Sequence, residues 1–512
     1  MLFSRCRFSR LHLPFISTVF CFVSLLTSSL TFAYTPSYSP SKQLPTGARH
    51  YLRVQDLQDD TTLLRSGQDG NFFPPASTLK LVTALAAKLE LGDKFHFQTT
   101  LSQAGQDLVL RFSGDPTLTS GDLAELLKQA KQQGIRHIRG DIWLDNSVFT
   151  GYQSAVGLPW DILGVCYSAP AMGIVLNHNC VQASISTSSP QSGKHRQTRF
   201  YVPEHQPIHV VNQVIAVSKE EKKALHCDLE LTTGDNNHYR LAGCLVKSER
   251  VMPLNFAIQQ PALYTQRVLS RLLQQQGITL DGQIRVGVPP HQGAVIAEHD
   301  SKPLPELLDV MLKKSDNLIA DTLTKTLGAR YFHQAGSFTN GTEAIKAIIK
   351  MHTGIDLERD QLVDGSGLSR NDRVHPKDLM AILRYIWQHD ATLKLIELMP
   401  VSGESGTLQY RRSMRKAPIE GNLIAKSGTL YGSHNMAGFG LDAHGQPRTL
   451  FVQYITDYFV PESESEKPIE APITRFEKLF YRDVVNLSQT VATQTAHQPI
   501  KSEENGNPIQ RP

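Results

Sequence analysis

An apolar helical repeat opens at Leu79 and continues through Val82, Leu85, Ala86 and Leu89, a spacing that predicts a buried helix. Pro75 stands just ahead of it, as is common where a helix begins. Ser77 and Lys80 fall near that start, three residues apart and so on one helical face, a turn apart. A hydroxyl placed there can be aimed at a carbonyl carbon while the lysine amine takes its proton. Free N–H groups at a helix N-terminus also favour developing negative charge. These are the requirements of a serine acyl-transfer nucleophile activated without histidine. The Ser-x-x-Lys spacing alone is weak, because it recurs at Ser39 and Ser413; only Ser77 opens an apolar helical run.

At 512 residues the chain is long for one core, and length alone suggests about two to four domains. The first 33 residues are similar to a secretory leader: Arg5, Arg7 and Arg10 precede an apolar stretch from Leu13 to Leu30, and Thr31-Phe-Ala33 offers a small-residue cleavage site. The stretch is just long enough to serve as an uncleaved anchor, but its Ser and Thr content favours cleavage and a periplasmic protein. Removing the leader, which carries no acid, takes the formal net charge from +4 to +1. No basic run interleaved with aromatics appears, so nothing argues for a nucleic-acid partner. Export makes the cysteines readable. Cys6 and Cys21 leave with the leader, and Cys166, Cys180, Cys227 and Cys244 remain. Sequence does not choose among their pairings; the expectation is Cys166 with Cys180 and Cys227 with Cys244, each closing a short loop.

After a Pro/Ser-rich linker, alternation from Tyr51 predicts a strand, and Phe95 to Leu110 reads as a hairpin. Helices are expected over Asp122–Gln133, Ala262–Gln275, Leu304–Lys314, Ala344–Met351 and Pro376–Trp387. Ile142–Leu144, Met436–Leu441 and Thr449–Ile455 read as strands, the last two joined by a loop opening with Asp442-Ala-His-Gly445. Phe476–Val485 reads as a closing helix, and 486–512 as a disordered tail.

Two further motifs follow Ser77 and Lys80. Ser315-Asp-Asn317 places a hydroxyl and a carboxamide two residues apart on a short loop, able to point into one cleft. Lys426-Ser-Gly428-Thr429 follows apolar Leu423-Ile-Ala425 and reads as an edge strand facing that cleft. Gly428 lets a substrate backbone approach, Lys426 supplies charge, and Ser427 can bond a terminal carboxylate. Backbone N–H groups of Ser77 and Thr429 then suit an oxyanion hole.

In this order, Ser-x-x-Lys, Ser-x-Asn and Lys-Ser-Gly resemble the signature of penicillin-binding proteins and serine β-lactamases. The long insert between the first two motifs narrows the resemblance to the D-alanyl-D-alanine carboxypeptidase/endopeptidase family of penicillin-binding protein 4. So do Phe112-Ser-Gly-Asp-Pro116, Pro159-Trp160, Cys166-Tyr-Ser-Ala-Pro170 and Asp364-Gly-Ser-Gly-Leu-Ser-Arg370. The resemblance implies a transpeptidase-like α/β sandwich with an antiparallel sheet, built from 34–100 and 256–485, with mostly-β subdomains inserted at 101–255. It implies peptidoglycan stem peptides as substrate and β-lactams as inhibitors. It also implies that Ser77, Lys80, Ser315, Asn317 and Lys426 carry the chemistry, and that Ser427, Gly428 and Thr429 bind substrate. Arg370 carries over to the reading of a diaminopimelate side chain, and Tyr167 matches an aromatic position there. Asp161 stands one place early for the acidic residue of that set, and Tyr431 stands where relatives carry glutamine. No cofactor or metal is implied: the 19 histidines are scattered, with no His-Glu-x-x-His helix. A β-lactamase would need a dedicated deacylation base, and no Glu-x-x-Leu-Asn segment supplies one. A wall-binding protein with a relict site would not need three intact motifs. A peripheral association with the membrane and the oligomeric state are left open.

Overall fold

Five strands drawn from the two ends of the chain build one antiparallel sheet. β1 (Arg49–Asp56) and β2 (Thr62–Gly67) come from the first motif's side. β3 (Leu423–Leu430), β4 (Ser433–Leu441) and β5 (Pro447–Thr456) come from the third motif's side. Their order is β3-β4-β5-β1-β2, so the expected edge strand carrying Lys426 is indeed an edge. This computed structural model describes residues 38–187, 198–460 and 470–496, with side chains placed as far as 490. The expected leader at 1–33 lies outside the described residues.

Both faces of the sheet are covered, and the strands show it in their alternation. On β5, Leu450, Val452 and Tyr454 turn to one side and Phe451 and Ile455 to the other, all buried. The first side packs against α1 (Lys80–Glu90), α2 (Leu304–Lys313), α3 (Asn317–Phe332), α4 (Phe338–Thr353) and α5 (Pro376–Gln388). The second packs against α6 (Pro472–Ala496), through Phe476, Phe480 and Val484. The arrangement is the expected α/β sandwich. α6 runs past the expected close at 485, because Val484, Val485 and Ser488 are buried and Leu487 packs against the sheet's core. Residues 486–496 are therefore helix rather than disordered tail; 497–512 lie outside the described residues.

α1 is buried through nine of its eleven residues, as its apolar repeat requires. α3 was not legible. It has buried Leu318, Ile319, Ala320, Leu323 and Leu327, but also buried Thr322, Thr324 and Lys325. With polar side chains buried among the apolar ones, no apolar stripe is left to read. Thr322 and Thr324 survive inside because their hydroxyls donate to the carbonyls four residues back, at 2.9 and 2.8 Å.

The inserted block has its own five-stranded sheet, in the order 284–286, 142–145, 107–111, 98–104, 294–300. Helices Ser120–Gln132 and Pro261–Gln276 share one apolar core with it. Residues 256–300, assigned by sequence to the catalytic part, thus pack with the insert, since Tyr264, Val268 and Ala297 bury beside Leu101 and Leu110. The expected hairpin at 95–110 is present as strands 98–104 and 107–111. Cys166 is bonded to Cys180 and Cys227 to Cys244, the local pairing.

Candidate active site

Ser77 does not lie within the expected α-helix. It occupies one 3-10 turn, Ala76–Leu79, that runs straight into α1 at Lys80. The turn is forced into place from three directions. Asn435 on β4 donates from Nδ2 to the carbonyls of Pro74 and Pro75, at 2.7 and 3.0 Å. Gly428 on β3 leaves so little space that an added Cβ would sit 2.9 Å from the Pro75 carbonyl and 3.0 Å from the Ser77 nitrogen. Gly367, at φ +75°, lies so close to the Ala76 carbonyl that no side chain could enter. Ala76 itself takes φ +49°, a left-handed conformation that a non-glycine residue holds only when its surroundings impose it.

The three motifs converge on this turn. Lys80 Nζ donates to Ser77 Oγ at 3.0 Å, to Asn317 Oδ1 at 2.6 Å and to the Ser366 carbonyl at 2.6 Å. All three ammonium donors are thus used. Lys426 Nζ donates to Ser315 Oγ at 2.9 Å and to the Ser427 carbonyl at 2.9 Å. Ser315 reaches it from a left-handed φ of +59°, in the bend between α2 and α3. Asp316 caps α3 by accepting from the Ile319 N–H at 2.9 Å, which leaves Asn317 at the first turn and aimed at Lys80. Above the two buried lysines opens a cavity of about 560 Å³, lined among others by Ser77, Ser315, Asn317, Thr429, Tyr167 and Arg370.

Residues 41–479 match the model of the D-Ala-D-Ala carboxypeptidase 3 (S13) family. The chain belongs to that family. It is 36% identical over 470 residues to the D-alanyl-D-alanine carboxypeptidase DacB of Haemophilus influenzae, covering 90% of this chain and 96% of that one. It is 26% identical to a D-alanyl-D-alanine carboxypeptidase of Actinomadura sp. strain R39, over 73% of this chain and 72% of that one. The crystal structure of penicillin-binding protein 4 from Haemophilus influenzae superposes with a TM-score of 0.80 at 36% identity, covering 87% of this chain and 98% of that one. The same protein complexed with a β-lactam superposes with a TM-score of 0.76. As a family member the chain is a serine-type D-Ala-D-Ala carboxypeptidase.

In this S13 protein the electrostatics favour a lysine that can act as a base. Burial pushes Lys80 down to about 8, opposed in turn by the carboxyl groups of Asp321, Asp364, Asp316 and Asp372. Lys426 is held well below the ordinary lysine range by burial and by the charge of Lys80. Asp321 is pushed up by desolvation and by Asp364, with Lys80 pulling the other way. Asp321 also accepts from the Gly365 N–H at 3.2 Å, and so ties the turn that presents the Ser366 carbonyl to Lys80.

The remaining expected residues fall at the rim. Tyr167 is half exposed in the cavity wall, and its carbonyl accepts from Asn317 Nδ2 at 2.7 Å, joining the insert to the second motif. The Cys166–Cys180 bridge and a His178–Asp316 contact of 2.8 Å reinforce that join. Arg370 lines the cavity with its guanidinium 5.7 Å from the ring centre of the exposed Tyr431. Asp161 is exposed and outside the cavity lining, although its charge raises the Tyr167 phenol after desolvation has done so. Sequence reasoning missed Asn435, Asp321 and Thr407, whose hydroxyl lies 2.9 Å from Ser427 Oγ. None of the three belongs to a motif with a readable spacing, whereas Ser366 lies in the Asp364–Arg370 stretch.

Proposed function

We propose that the protein is an exported DD-peptidase that hydrolyses D-Ala-D-Ala termini, or D-Ala to diaminopimelate cross-links, of peptidoglycan stem peptides through an acyl-enzyme on Ser77. The observation that carries this reading is the 3.0 Å approach of Lys80 Nζ to Ser77 Oγ, at the floor of a cavity lined by all three motifs. Neutral Lys80 takes the Ser77 proton as Oγ attacks the D-Ala carbonyl carbon. Backbone N–H groups of Ser77 and Thr429 hold the oxyanion. As the tetrahedral intermediate collapses, the C–N bond breaks and the proton taken by Lys80 passes by way of Ser315 to the departing amine, leaving Lys80 neutral. Lys80 then takes a proton from water as the water oxygen attacks the ester carbonyl, and that proton goes to Ser77 Oγ as the ester C–O bond breaks.

Asn317 holds Lys80, and Gly428 keeps the edge strand close enough for a substrate strand to lie along it. Lys426, Ser427 and Thr429 receive the terminal carboxylate, which would favour the charged form of Lys426. Arg370 and Tyr167 read the diaminopimelate side chain from the rim, with Asp161 contributing charge at longer range. β-Lactams take the same path and stall at the acyl-enzyme.

Intact-mass analysis of the mature protein after benzylpenicillin, with peptide mapping, tests the assignment. One long-lived adduct on Ser77 is expected, absent in Ser77→Ala. D-Ala release from a synthetic stem pentapeptide should vanish in the same variant while its melting temperature holds. An adduct on another residue, or turnover retained by Ser77→Ala, overturns the reading.

A further inference from the structure

A second cavity, of about 520 Å³, lies away from the cleft between the turns of residues 411–419 and one face of α6. Its walls are cationic on both sides. Arg412, Arg415 and Lys416 come from the turns, and Lys478 and Arg482, four residues apart on α6, face them. All five are exposed. Lys478 is paired with Glu470, and Arg482 lies 3.9 Å from Asp483. Among the described residues, Arg412, Arg415 and Lys416 have no acidic partner. The mature chain is expected to be nearly neutral, so this concentration of charge is local rather than compositional.

The bed is also held in shape. Glu477, one residue before Lys478, is buried and accepts from Arg411 through both Nε, at 3.1 Å, and Nη2. The same carboxylate accepts from the Ser413 hydroxyl at 2.7 Å. Arg411 and Ser413 thus point inward to one buried acid, which fixes the turns onto α6 and leaves Arg412, Arg415 and Lys416 facing out. This accounts for the second Ser-x-x-Lys spacing at Ser413: its serine is spent on Glu477 and its lysine on the cavity wall. Ala417, Pro418 and Ile419 close the cavity with apolar surface.

We propose that this cavity is an anion site for a phosphate-bearing ligand, separate from the peptidase cleft. Guanidinium forks match phosphate oxygens, and Arg412, Arg415 and Lys416, facing Lys478 and Arg482 across one space, suit a group of more than one negative charge. The phosphate belongs either to an anionic lipid headgroup or to a soluble phosphate compound. The inference does not depend on the peptidase reading, because no residue of the cleft takes part.

The test compares the mature protein with its R412Q/R415Q/K416Q variant. Flotation with phosphatidylglycerol vesicles, against phosphatidylcholine vesicles, reads the lipid source; calorimetric titration with inorganic pyrophosphate reads the soluble one. With about fivefold in affinity per basic side chain, the triple variant should bind about a hundredfold more weakly, and wild-type binding should fall with added salt. Benzylpenicillin labelling of Ser77 should be equal in both proteins, which shows that the variant is folded. Variant-sensitive flotation assigns the site to a lipid headgroup, and variant-sensitive pyrophosphate binding without flotation assigns it to a soluble phosphate. Absence of both, or binding that the three substitutions leave unchanged, overturns the proposal.

Discussion

If Lys80 is the base, its proton sets the pH dependence of acylation. A lysine pushed down to about 8 is about one-tenth neutral at pH 7 and about nine-tenths neutral at pH 9. Acylation should therefore rise about tenfold over that interval and level off beyond it. A lysine at its ordinary value near 10.4 would be neutral in far less than about 1% of molecules at pH 7, and would give a rise of about a hundredfold with no plateau by pH 9. The two curves differ in both slope and shape. Stopped-flow acylation by a chromogenic cephalosporin at saturating concentration isolates the chemical step. If, as proposed, Lys426 holds the drug's carboxylate, loss of its proton should raise the concentration needed for saturation. A limiting rate that climbs log-linearly through pH 9 would refute the argument that burial lowers Lys80, and a flat one would remove Lys80 as the base.

Asp321 is predicted to tune that curve: its carboxylate favours the charged form of Lys80, so Asp321→Asn should move the midpoint of the acylation profile below about 8 with the melting temperature little changed. An unmoved midpoint would mean that Asp321 already carries a proton in the free enzyme. Gly367→Ala should lower acylation on the order of a hundredfold, because a Cβ there collides with the Ala76 carbonyl and displaces Ser77 by a fraction of an ångström or more. Wild-type acylation in that variant would show that the turn is not held from this side. Cys166→Ser with Cys180→Ser removes a bridge closing a short loop, with a sequence separation of 14, and should cost about 3 kcal/mol of stability. It should also slow acylation, since the Tyr167 carbonyl holds Asn317; a stability loss with unchanged acylation would separate the bridge from the site.

The sequence made legible those parts of the fold whose buried residues are themselves apolar or whose chemistry recurs at fixed spacing. β4, β5 and their hairpin could be read because apolar runs are broken by a turn that Asp442 and Gly445 build locally. α1 could be read because its apolar positions repeat. α3 could not, although it carries Asn317, which reaches Lys80, because buried Thr322, Thr324 and Lys325 interrupt its apolar pattern. The insert's limit at 255 failed for a related reason: strand 294–300 pairs with strand 98–104 across nearly two hundred residues, and nothing local announces such a pairing.

The same distinction separates the residues proposed to react from those that place them. Ser77, Lys80, Ser315, Asn317 and Lys426, the groups proposed to react, lie in three short motifs that can be read locally, although only Ser77 and Lys80 meet within one motif. What gives the site its geometry comes from farther off. Asn435 meets the Pro74 and Pro75 carbonyls from a strand more than three hundred residues later. Gly367 and Gly428 close on Ala76 from two separate segments much later in the chain. Asp321 holds the Gly365 turn that feeds Lys80 its third acceptor. An asparagine, a glycine or an aspartate in isolation is an ordinary turn or surface residue, and only the fold converts it into a constraint. A serine that must sit about 3 Å from a buried lysine cannot be placed by its own helix alone. The left-handed backbone at Ala76 and Ser315 is the physical trace of that external placement.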